Sequence, residues 1–278
     1  MAIWLIIILG IVQGASEFLP ISSSGHLVVL YNIFSVTENN ILLSIILHIA
    51  TLLAVIICYR KQLFLLIKNP FCQTNKKLII ASIPTVIIVV LLKGIVEKSF
   101  SGNFVVTGFL ITAIILIVSQ LVSNKQNNNT ILTKSGVFLT KSEDITNLNI
   151  NYKQAVLIGT MQGVAIFPGI SRSGSTIATG LICGVSKRDS ADFSFLLSIP
   201  IIVAGMLFEV LEIFAGNVVV TIPAITLTVG FLFSFLSGLL SIKLMLNFVK
   251  NKNLIWFSVY LILLSLFLIL NMFVFKLF

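Results

Sequence analysis

Two stretches decide the fold, "GIVQGASEFLPISSSGHL" at 10–27 and "GTMQGVAIFPGISRSGST" at 159–176. They align without a gap and share the pattern Gly-x-x-Gln-Gly-x-x-x-Phe-x-x-Ile-Ser-x-Ser-Gly, so they indicate an internal repeat. Each interrupts an apolar segment with proline, glycine and serine. Such irregular backbone is tolerated inside a membrane only where protein buries it or where it lines an aqueous cavity. The sequence therefore predicts two re-entrant helical hairpins that together form a site.

The amino-acid composition of the whole chain indicates the class of protein to which these two stretches belong. The chain has 278 residues, of which 58% are hydrophobic and 10% charged, and its mean hydropathy is +1.12. Soluble domains carry about 25% charged residues. The net charge of +9 includes no dense basic run, which excludes a nucleic-acid partner and indicates charged loops that orient the chain. We therefore expect an all-α polytopic membrane protein.

Six apolar stretches between and after the hairpins are candidates to cross the bilayer, whose hydrocarbon core of about 30 Å needs about 20 helical residues. They are 41–59, 78–92, 104–122, 193–214, 218–246 and 254–275. With the hairpins near 1–35 and 154–185, they predict a single membrane domain over 1–278. Its repeat halves are 1–122 and 154–278, joined by a polar connection at 123–153.

Charge predicts the orientation. If each hairpin returns to its own side, the spans between them place the second hairpin on the opposite face. One face then collects Arg60, Lys61, Lys68, Lys76, Lys77, Lys125, Lys134, Lys141, Lys153, Lys187, Arg188, Lys250 and Lys252. The other collects Lys93, Lys98 and Lys276, with Glu38, Glu97, Glu209 and Glu212. We interpret Glu209 and Glu212 as solvated ends of a span. The basic face is expected to be cytoplasmic, which makes the repeat inverted. The alternative, in which each interrupted stretch crosses the membrane fully, stays open.

The first hairpin carries a carboxylate and clustered hydroxyls. Gln13 and Glu17 stand four residues apart, on one helix face, and Glu17 is the only acid in either repeat copy. A carboxylate at membrane depth costs several kcal/mol unless it is paired or binds a cation, so Glu17 and Gln13 are candidate metal ligands. The alternative is a Glu17 that reaches an outer aqueous vestibule. Ser22, Ser23 and Gly25 predict an anion site or a nucleophile, the alternative being simple helix capping.

The two histidines are interpreted differently. His26 follows Ser23 by three residues and is a candidate acid or base, although a hydrogen-bonded core histidine is the alternative. His48 has no polar company in its apolar segment and is interpreted as structural.

The second hairpin supplies a cation. Arg172 is flanked by Ser171 and Ser173 and followed by Thr176, a set that suits phosphate oxygens. The alternative is that Arg172 only pairs with Glu17. Combined, the two hairpins predict metal-assisted phosphoryl chemistry on a lipid phosphate or diphosphate.

These residues carry a resemblance to a known family. "QGASE" (13–17), "PISSSGH" (20–26), "PGISRSGST" (168–176) and "DFSFLLSIP" (192–200) closely resemble the motifs of the undecaprenyl-diphosphate phosphatase family, associated with bacitracin resistance. The resemblance covers nearly the whole chain. It implies hydrolysis of undecaprenyl diphosphate to the monophosphate carrier for cell-wall synthesis, with a divalent cation (Mg²⁺ or Ca²⁺). It also implies an inverted repeat whose active site opens on the outer face of a bacterial plasma membrane.

The resemblance extends to individual positions. It implicates Gln13, Glu17, Ser22, Ser23, His26, Ser171, Arg172 and Thr176. Because the first acidic motif position is Gln13 here, Glu17 must supply the sole carboxylate. The nucleophile is left open between Ser23, His26 and water, and we favour Ser23 with His26 or Glu17 as base. The expected partners are a polyprenyl diphosphate and membrane lipids, with a homodimer as a further candidate.

Two rival functions follow from parts of the same pattern. An inverted repeat of broken helices is also transporter architecture, so a lipid-phosphate flippase or solute carrier is the alternative, and an enzyme that also moves its product combines the two. A second family of membrane lipid phosphatases shares local Ser-Gly-His and Ser-Arg motifs. It needs a histidine after the arginine, and none follows Arg172.

Overall fold

The computed structural model describes residues 2–36, 41–99, 102–132, 145–214, 223–251 and 253–275, and these contain helices and no strand. A 3-10 turn at Ile145–Asn147 precedes α7, and a π-helical turn at Asn271–Phe275 follows α11. The α-helices are α1 Ile3–Phe18, α2 Ser23–Ile33, α3 Ile41–Cys58, α4 Arg60–Lys68, α5 Gln73–Lys98, α6 Gly102–Leu132, α7 Tyr152–Val164, α8 Arg172–Ile182, α9 Lys187–Phe214, α10 Ala224–Asn251 and α11 Ile255–Leu270.

Six of the described helices are long and apolar enough to cross a membrane, which confirms the predicted polytopic fold. Their spans are Ile41–Cys58, Gln73–Val96, Phe104–Lys125, Lys187–Leu211, Ala224–Val249 and Ile255–Val274. The second and fourth begin earlier than the sequence predicts, since charged and polar flanking residues continue the helix. The predicted start of the fifth span at 218 lies outside the described residues, as do Glu38, Lys134, Lys141, Lys252 and Lys276.

The predicted polar connection at 123–153 is helical at both of its described ends. α6 continues to Leu132, and α7 begins at Tyr152 with an Asn151 capping box. The connection at 133–144 lies outside the described residues.

Each interrupted stretch forms a helix pair that turns back on itself. α1 and α2 are separated by residues 19–22, and the rings of Trp4 and Phe34 close their open end with centroids 5.3 Å apart. α7 and α8 are separated by residues 165–171, and Gln154 Nε2 donates to the Cys183 carbonyl at 2.9 Å. Each pair is therefore a helical hairpin whose open end is closed by side-chain contacts.

The two pairs open towards opposite ends of the helix bundle. Leu5 and Ile6 of the first pair pack with Leu43 near the start of α3. The second pair leads directly into the start of α9, which meets the end of α3 where the Tyr59 hydroxyl donates to Asp192 at 2.7 Å. Since α3 runs from one end to the other, the hairpins enter the bundle from opposite sides.

The hairpin of each half packs against a long helix of the other half. α1 packs against α10, and Ser241 Oγ donates to the Gly14 carbonyl at 2.8 Å. α7 packs against α5, and Thr85 Oγ1 donates to the Gly159 carbonyl at 2.7 Å. A Cβ at Gly14 or Gly159 would overlap the partner's backbone, so small residues set both crossings. Each hairpin thus rests on the second long helix of the other half.

Candidate active site

The site forms where the two helix breaks meet. α2 begins at Ser23, and Ser22 Oγ caps it by accepting from the Gly25 N–H at 3.3 Å. α8 begins at Arg172, and Ser171 Oγ accepts from the Gly174 N–H at 3.0 Å. These are equivalent positions of the sequence repeat, so the shared serines and glycines produce the same cap twice.

The backbone differs between the two breaks. Ser22 adopts φ +70°, a left-handed conformation that serine rarely occupies, whereas Ser171 has φ −74°. In the second break the positive φ belongs to Gly169, whose carbonyl accepts a hydrogen bond from Thr112 Oγ1 of α6 at 3.1 Å. The strain in the first break thus falls on a serine that directly precedes Ser23. A left-handed non-glycine residue costs about 1–3 kcal/mol, and such conformations concentrate at functional sites.

Glu17 is the centre of the site. Its Oε2 accepts hydrogen bonds from Ser23 Oγ at 2.5 Å and from Gln13 Nε2 at 3.2 Å. Its Oε1 pairs with Arg172 Nη2 of the second hairpin at 2.5 Å. The structure therefore brings four sequence-predicted residues together in one composite site, and the ion pair that we kept as the alternative interpretation of Arg172 is formed.

Arg172 keeps donor capacity beyond that ion pair. Its Nη1 is buried and has no hydrogen-bond partner. A guanidinium carries five N–H donors in a planar fork that matches carboxylate and phosphate oxygens. The unpartnered nitrogen of Arg172 therefore retains N–H donors that suit a further anion.

The other predicted residues of the second hairpin hold Arg172 in position. Ser173 Oγ donates to the Leu19 carbonyl of the first hairpin at 3.0 Å. Thr176 Oγ1 lies 2.6 Å from Ser194 Oγ of α9, and it also donates to the Arg172 carbonyl at 2.9 Å. With Ser171 at the cap, these buried hydroxyls are engaged in fixing the start of α8 against its neighbours.

His26 lies apart from Glu17. Its Nδ1 lies 2.7 Å from the Ser22 carbonyl and therefore donates, because a carbonyl can only accept. Its Nε2 lies 2.6 Å from the Tyr260 hydroxyl of α11, and the two rings stack with centroids 5.7 Å apart. No hydrogen bond joins His26 to Glu17 or Ser23. The sequence gives no signal for Tyr260, an aromatic residue in an apolar helix.

A cavity of about 240 Å³ opens beside Glu17 and Arg172, and it contains polar residues to which we had assigned no function. His48, which we interpret as structural, and Glu209, which we interpret as a solvated helix end, both line it. His48 Nδ1 donates to the Ser44 carbonyl at 2.9 Å, and Ser44 Oγ donates to Glu209 Oε1 at 3.0 Å. The side chain of Glu212 is not described.

Gln162 is a further residue that sequence reasoning missed. It lines the same cavity, is 3% exposed, and its Oε1 has no hydrogen-bond partner. The buried Oε1 of Gln13 is likewise unpartnered. The two glutamines occupy the same position of the repeat, so the alignment contained the signal, although we assigned a role only to Gln13.

The donor set fits a hard cation shared with a ligand. No cluster of three or more His, Cys, Asp or Glu side chains occurs in the part of the chain that the structure describes. Glu17 offers a carboxylate and Gln13 a buried carbonyl oxygen without a partner. Mg²⁺ commonly uses one or two protein carboxylates and completes its shell with water and substrate phosphates. A cation held by Glu17 and Gln13 would therefore depend on phosphate oxygens.

Comparison with known proteins adds independent information. A family model described as bacitracin resistance protein BacA matches residues 6–267. Undecaprenyl-diphosphatase 4 of Bacillus cereus is 39% identical over 254 residues, which cover 91% of each chain. Undecaprenyl-diphosphatase of Parabacteroides distasonis is 37% identical over 265 residues, covering 91% of this chain and 92% of that protein. The enzyme of the same name from Alkaliphilus metalliredigens is 38% identical over 276 residues, covering 91% and 93%.

Proposed function

The chain belongs to the bacitracin resistance protein BacA family, and we propose that it hydrolyses undecaprenyl diphosphate to undecaprenyl phosphate and inorganic phosphate. It is a multi-pass membrane enzyme of the hydrolase class. The product is the lipid carrier for cell-wall synthesis that the sequence resemblance implies, and bacitracin resistance fits the same family.

One observation carries the mechanism. The Ser23 hydroxyl donates to Glu17, and Glu17 pairs with Arg172 from the other hairpin. A nucleophile, a base and a phosphate-binding cation are therefore in direct contact within a mostly buried site. Glu17 is 9% exposed, so little water screens these charges.

Arg172 binds the diphosphate. Its unpartnered Nη1 receives the first phosphate oxygen, and Nη2 exchanges Glu17 for a second one. This exchange releases Glu17 Oε1 from its ion pair while Oε2 keeps the hydrogen bond from Ser23. Binding of the substrate thus frees the carboxylate that accepts a proton in the next step.

The chemical step then uses Ser23 and Glu17. Glu17 takes the hydroxyl proton as Ser23 Oγ forms a bond to the terminal phosphorus, and the bond from that phosphorus to the bridging oxygen breaks. Undecaprenyl phosphate leaves with the bridging oxygen. The proton on Glu17 passes to the departing undecaprenyl phosphate, which restores the carboxylate. Glu17 then deprotonates a water molecule that attacks the phosphoserine. The bond from phosphorus to Ser23 Oγ breaks, Oγ takes the proton back from Glu17, and inorganic phosphate leaves. Glu17 is assigned as the base because His26 is bonded to Ser22 and Tyr260.

A divalent cation, Mg²⁺ or Ca²⁺, is part of the proposal. Glu17 and the free carbonyl oxygen of Gln13 would hold it together with phosphate oxygens of the substrate. Bound there, it would neutralise negative charge on the diphosphate.

The proposed site opens on the outer face of the membrane. The described basic residues of one bundle end support a cytoplasmic location for that end, and they are Arg60, Lys61, Lys68, Lys76, Lys77, Lys153, Lys187 and Arg188. The cavity extends the other way, to His48 in the first half of α3 and Glu209 near the end of α9.

The test measures phosphate release from undecaprenyl diphosphate by the purified protein in detergent, with Mg²⁺, with Ca²⁺ and with EDTA. Ser23→Ala and Glu17→Gln are each expected to lose on the order of 10³-fold or more in kcat, since members of a catalytic unit are not independent. Ser24→Ala is the matched control, because the structure gives the Ser24 hydroxyl only a contact with Ser22 Oγ.

The nucleophile is identified separately. Rapid acid quench during turnover, followed by mass spectrometry of the peptide that contains Ser23, should detect phosphoserine. Release that continues in Ser23→Ala at wild-type rate would assign the attack to water. A folded wild-type protein that releases no phosphate would contradict the function itself.

A further inference from the structure

A second apolar surface feature lies beside the site. It is an open groove of about 540 Å³ on the seam between α5 and α9. The α5 side chains between Leu78 and Ile87 line it, together with Pro200 of α9. Among the described residues that line the groove, only Ser82 has a polar side chain, and the Ser82 hydroxyl donates to the Leu78 carbonyl. The groove therefore presents hydrocarbon and no charge.

The groove adjoins the active-site cavity along the same seam. On α9 the groove ends at Pro200, and the cavity wall begins at Ile201 and continues to Glu209. On α5 the groove includes Ile87, and the cavity includes Val89. The helices that border the groove thus also border the cavity, one or two residues further along each helix.

Gly205 marks open space in this seam. It lines the cavity, and a Cβ built at Gly205 would meet no atom within 4 Å. At Gly14, by contrast, an added Cβ would overlap α10. The α9 wall therefore leaves room for a ligand next to Gly205 in a bundle that is otherwise closely packed at its helix crossings.

The sizes and polarities match the two parts of a polyprenyl diphosphate. The cavity has Glu17 and Arg172 at one side and mostly apolar walls, and its 240 Å³ is smaller than the about 300–1,000 Å³ of common small-molecule pockets. It holds a diphosphate and only the first part of an apolar chain. The remainder of a long chain needs further apolar surface in contact with the cavity, and the groove is such a surface.

We propose that the seam between α5 and α9 binds the polyprenyl chain of the substrate. The diphosphate lies at Glu17 and Arg172, and the chain passes Gly205 and Pro200 into the groove at Ile83. This inference rests on the proposed function and adds the chain-binding site, which makes substrate length a property of α5 and α9. A membrane phospholipid chain that fills the groove without reaching the cavity is the alternative occupant, and the experiment separates the two.

The first measurement compares kcat/KM for undecaprenyl diphosphate and for farnesyl diphosphate. Ile83→Trp, which fills the groove, is expected to lower kcat/KM at least about 10-fold for the long substrate and to leave the short one within about 2-fold. Gly205→Leu, at the junction, is expected to lower kcat/KM for both. Leu91→Trp and Gly94→Leu are the matched controls on α5, since Leu91 is exposed and Gly94 has open space around it, and neither lines the groove or the cavity.

A second measurement does not depend on turnover. A polyprenyl diphosphate that carries a diazirine on its distal isoprene units is cross-linked to the wild-type protein, and the labelled peptides are mapped by mass spectrometry. We expect labels on the groove segments of α5 and α9 that undecaprenyl diphosphate prevents and a phospholipid does not. Labels on other helices, or labels that a phospholipid removes equally, would overturn the proposal.

The two proposals fail in different ways. If the wild type releases phosphate while Ile83→Trp keeps the long-to-short ratio of kcat/KM, the chain-binding site is wrong and the phosphatase stands. If the wild type releases no phosphate but the label is displaced by undecaprenyl diphosphate, the chain-binding site stands and the phosphatase fails.

Discussion

The two hairpins share a backbone frame and differ in the chemistry that they carry. Ser22 and Ser171 make the same cap at equivalent positions, and hydroxyl pairs at 3.3 Å follow in both copies, Ser22 with Ser24 and Ser171 with Ser173. Their surroundings differ, because α8 is buried from Ser173 to Leu181 whereas α2 buries only two residues.

The differences concentrate at the positions that meet in the site. Position 17 is glutamate in the first copy and isoleucine in the second, and Ser23 corresponds to Arg172. In the proposed mechanism the first hairpin thus supplies the carboxylate and the nucleophile, and the second supplies the guanidinium. A repeated frame can hold a divided catalytic set, because capping fixes the backbone while the side chains at a few positions remain free to diverge.

Removal of the Glu17–Arg172 ion pair should have the largest effect on activity and stability, because each hairpin contributes one partner of the pair. Arg172→Ala is expected to lower kcat/KM by on the order of 10³-fold, since the substrate phosphate loses its contact with the Arg172 guanidinium. It should also destabilise the protein by about 3–5 kcal/mol, because the mostly buried Glu17 loses its partner. The double variant Glu17→Ala with Arg172→Ala should be inactive yet more stable than either single variant in thermal unfolding in detergent. Additive losses in stability would show that the pair does not couple the hairpins.

His48 lines the same cavity as Glu17 and, like Glu17, belongs to the first half of the chain. A His48 variant therefore tests whether that half contributes a further ligand contact. Because Nδ1 donates to the Ser44 carbonyl, Nε2 is free to contact a ligand in the cavity, and it donates to a phosphate oxygen when the ring carries both protons. A hydrogen bond to a charged group contributes about 1.5–3 kcal/mol. His48→Ala should therefore lower kcat/KM by about 10–100-fold, while His48→Gln should recover part of it. Equal activity of the wild type and His48→Ala in steady-state assays would return His48 to a structural role.

The glycine crossings test whether both hairpins are held alike. Gly14→Ala and Gly159→Ala each place a Cβ against the partner helix's backbone and should destabilise the protein by about 1–3 kcal/mol. Gly94→Ala, with open space around it, should not destabilise it and is the control. Thermal unfolding of the three variants gives the comparison. A large loss at one crossing and none at the other would argue against equivalent support of the two hairpins.

The caps are expected to give the smallest effect. Ser171→Gly loses a hydrogen bond to the Gly174 N–H and should destabilise the protein by a few tenths of a kcal/mol. Ser22→Gly loses the same bond but relieves the positive φ, so it should be more stable than Ser171→Gly by up to about 1 kcal/mol. Unfolding midpoints of the two variants decide the order. The reverse order would show that Ser22 is not strained.

The sequence predicts the broken helices and the membrane spans better than it predicts which side chains line the site. The broken helices, the apolar spans and the residues around Glu17 follow from patterns within short segments. Tyr260 and His48 received no site role because each lies on an otherwise apolar helix, and Glu209 received none because it lies near the end of α9. Only tertiary packing brings these helices to the site. The Arg172 ion pair was foreseen as an alternative, since a buried charge needs a partner and Glu17 was the only acid in the repeat.

The exchanged packing has a consequence for biosynthesis. α1 bears Glu17 and leaves the ribosome well before α10, the helix on which it packs most extensively. The composite site of Glu17 and Arg172 therefore gains its full support only after α10 has been inserted. A chain that stops before α10 would keep Glu17 and Arg172 in sequence but would lack the support that holds α1, so we expect no active protein before α10 is in place.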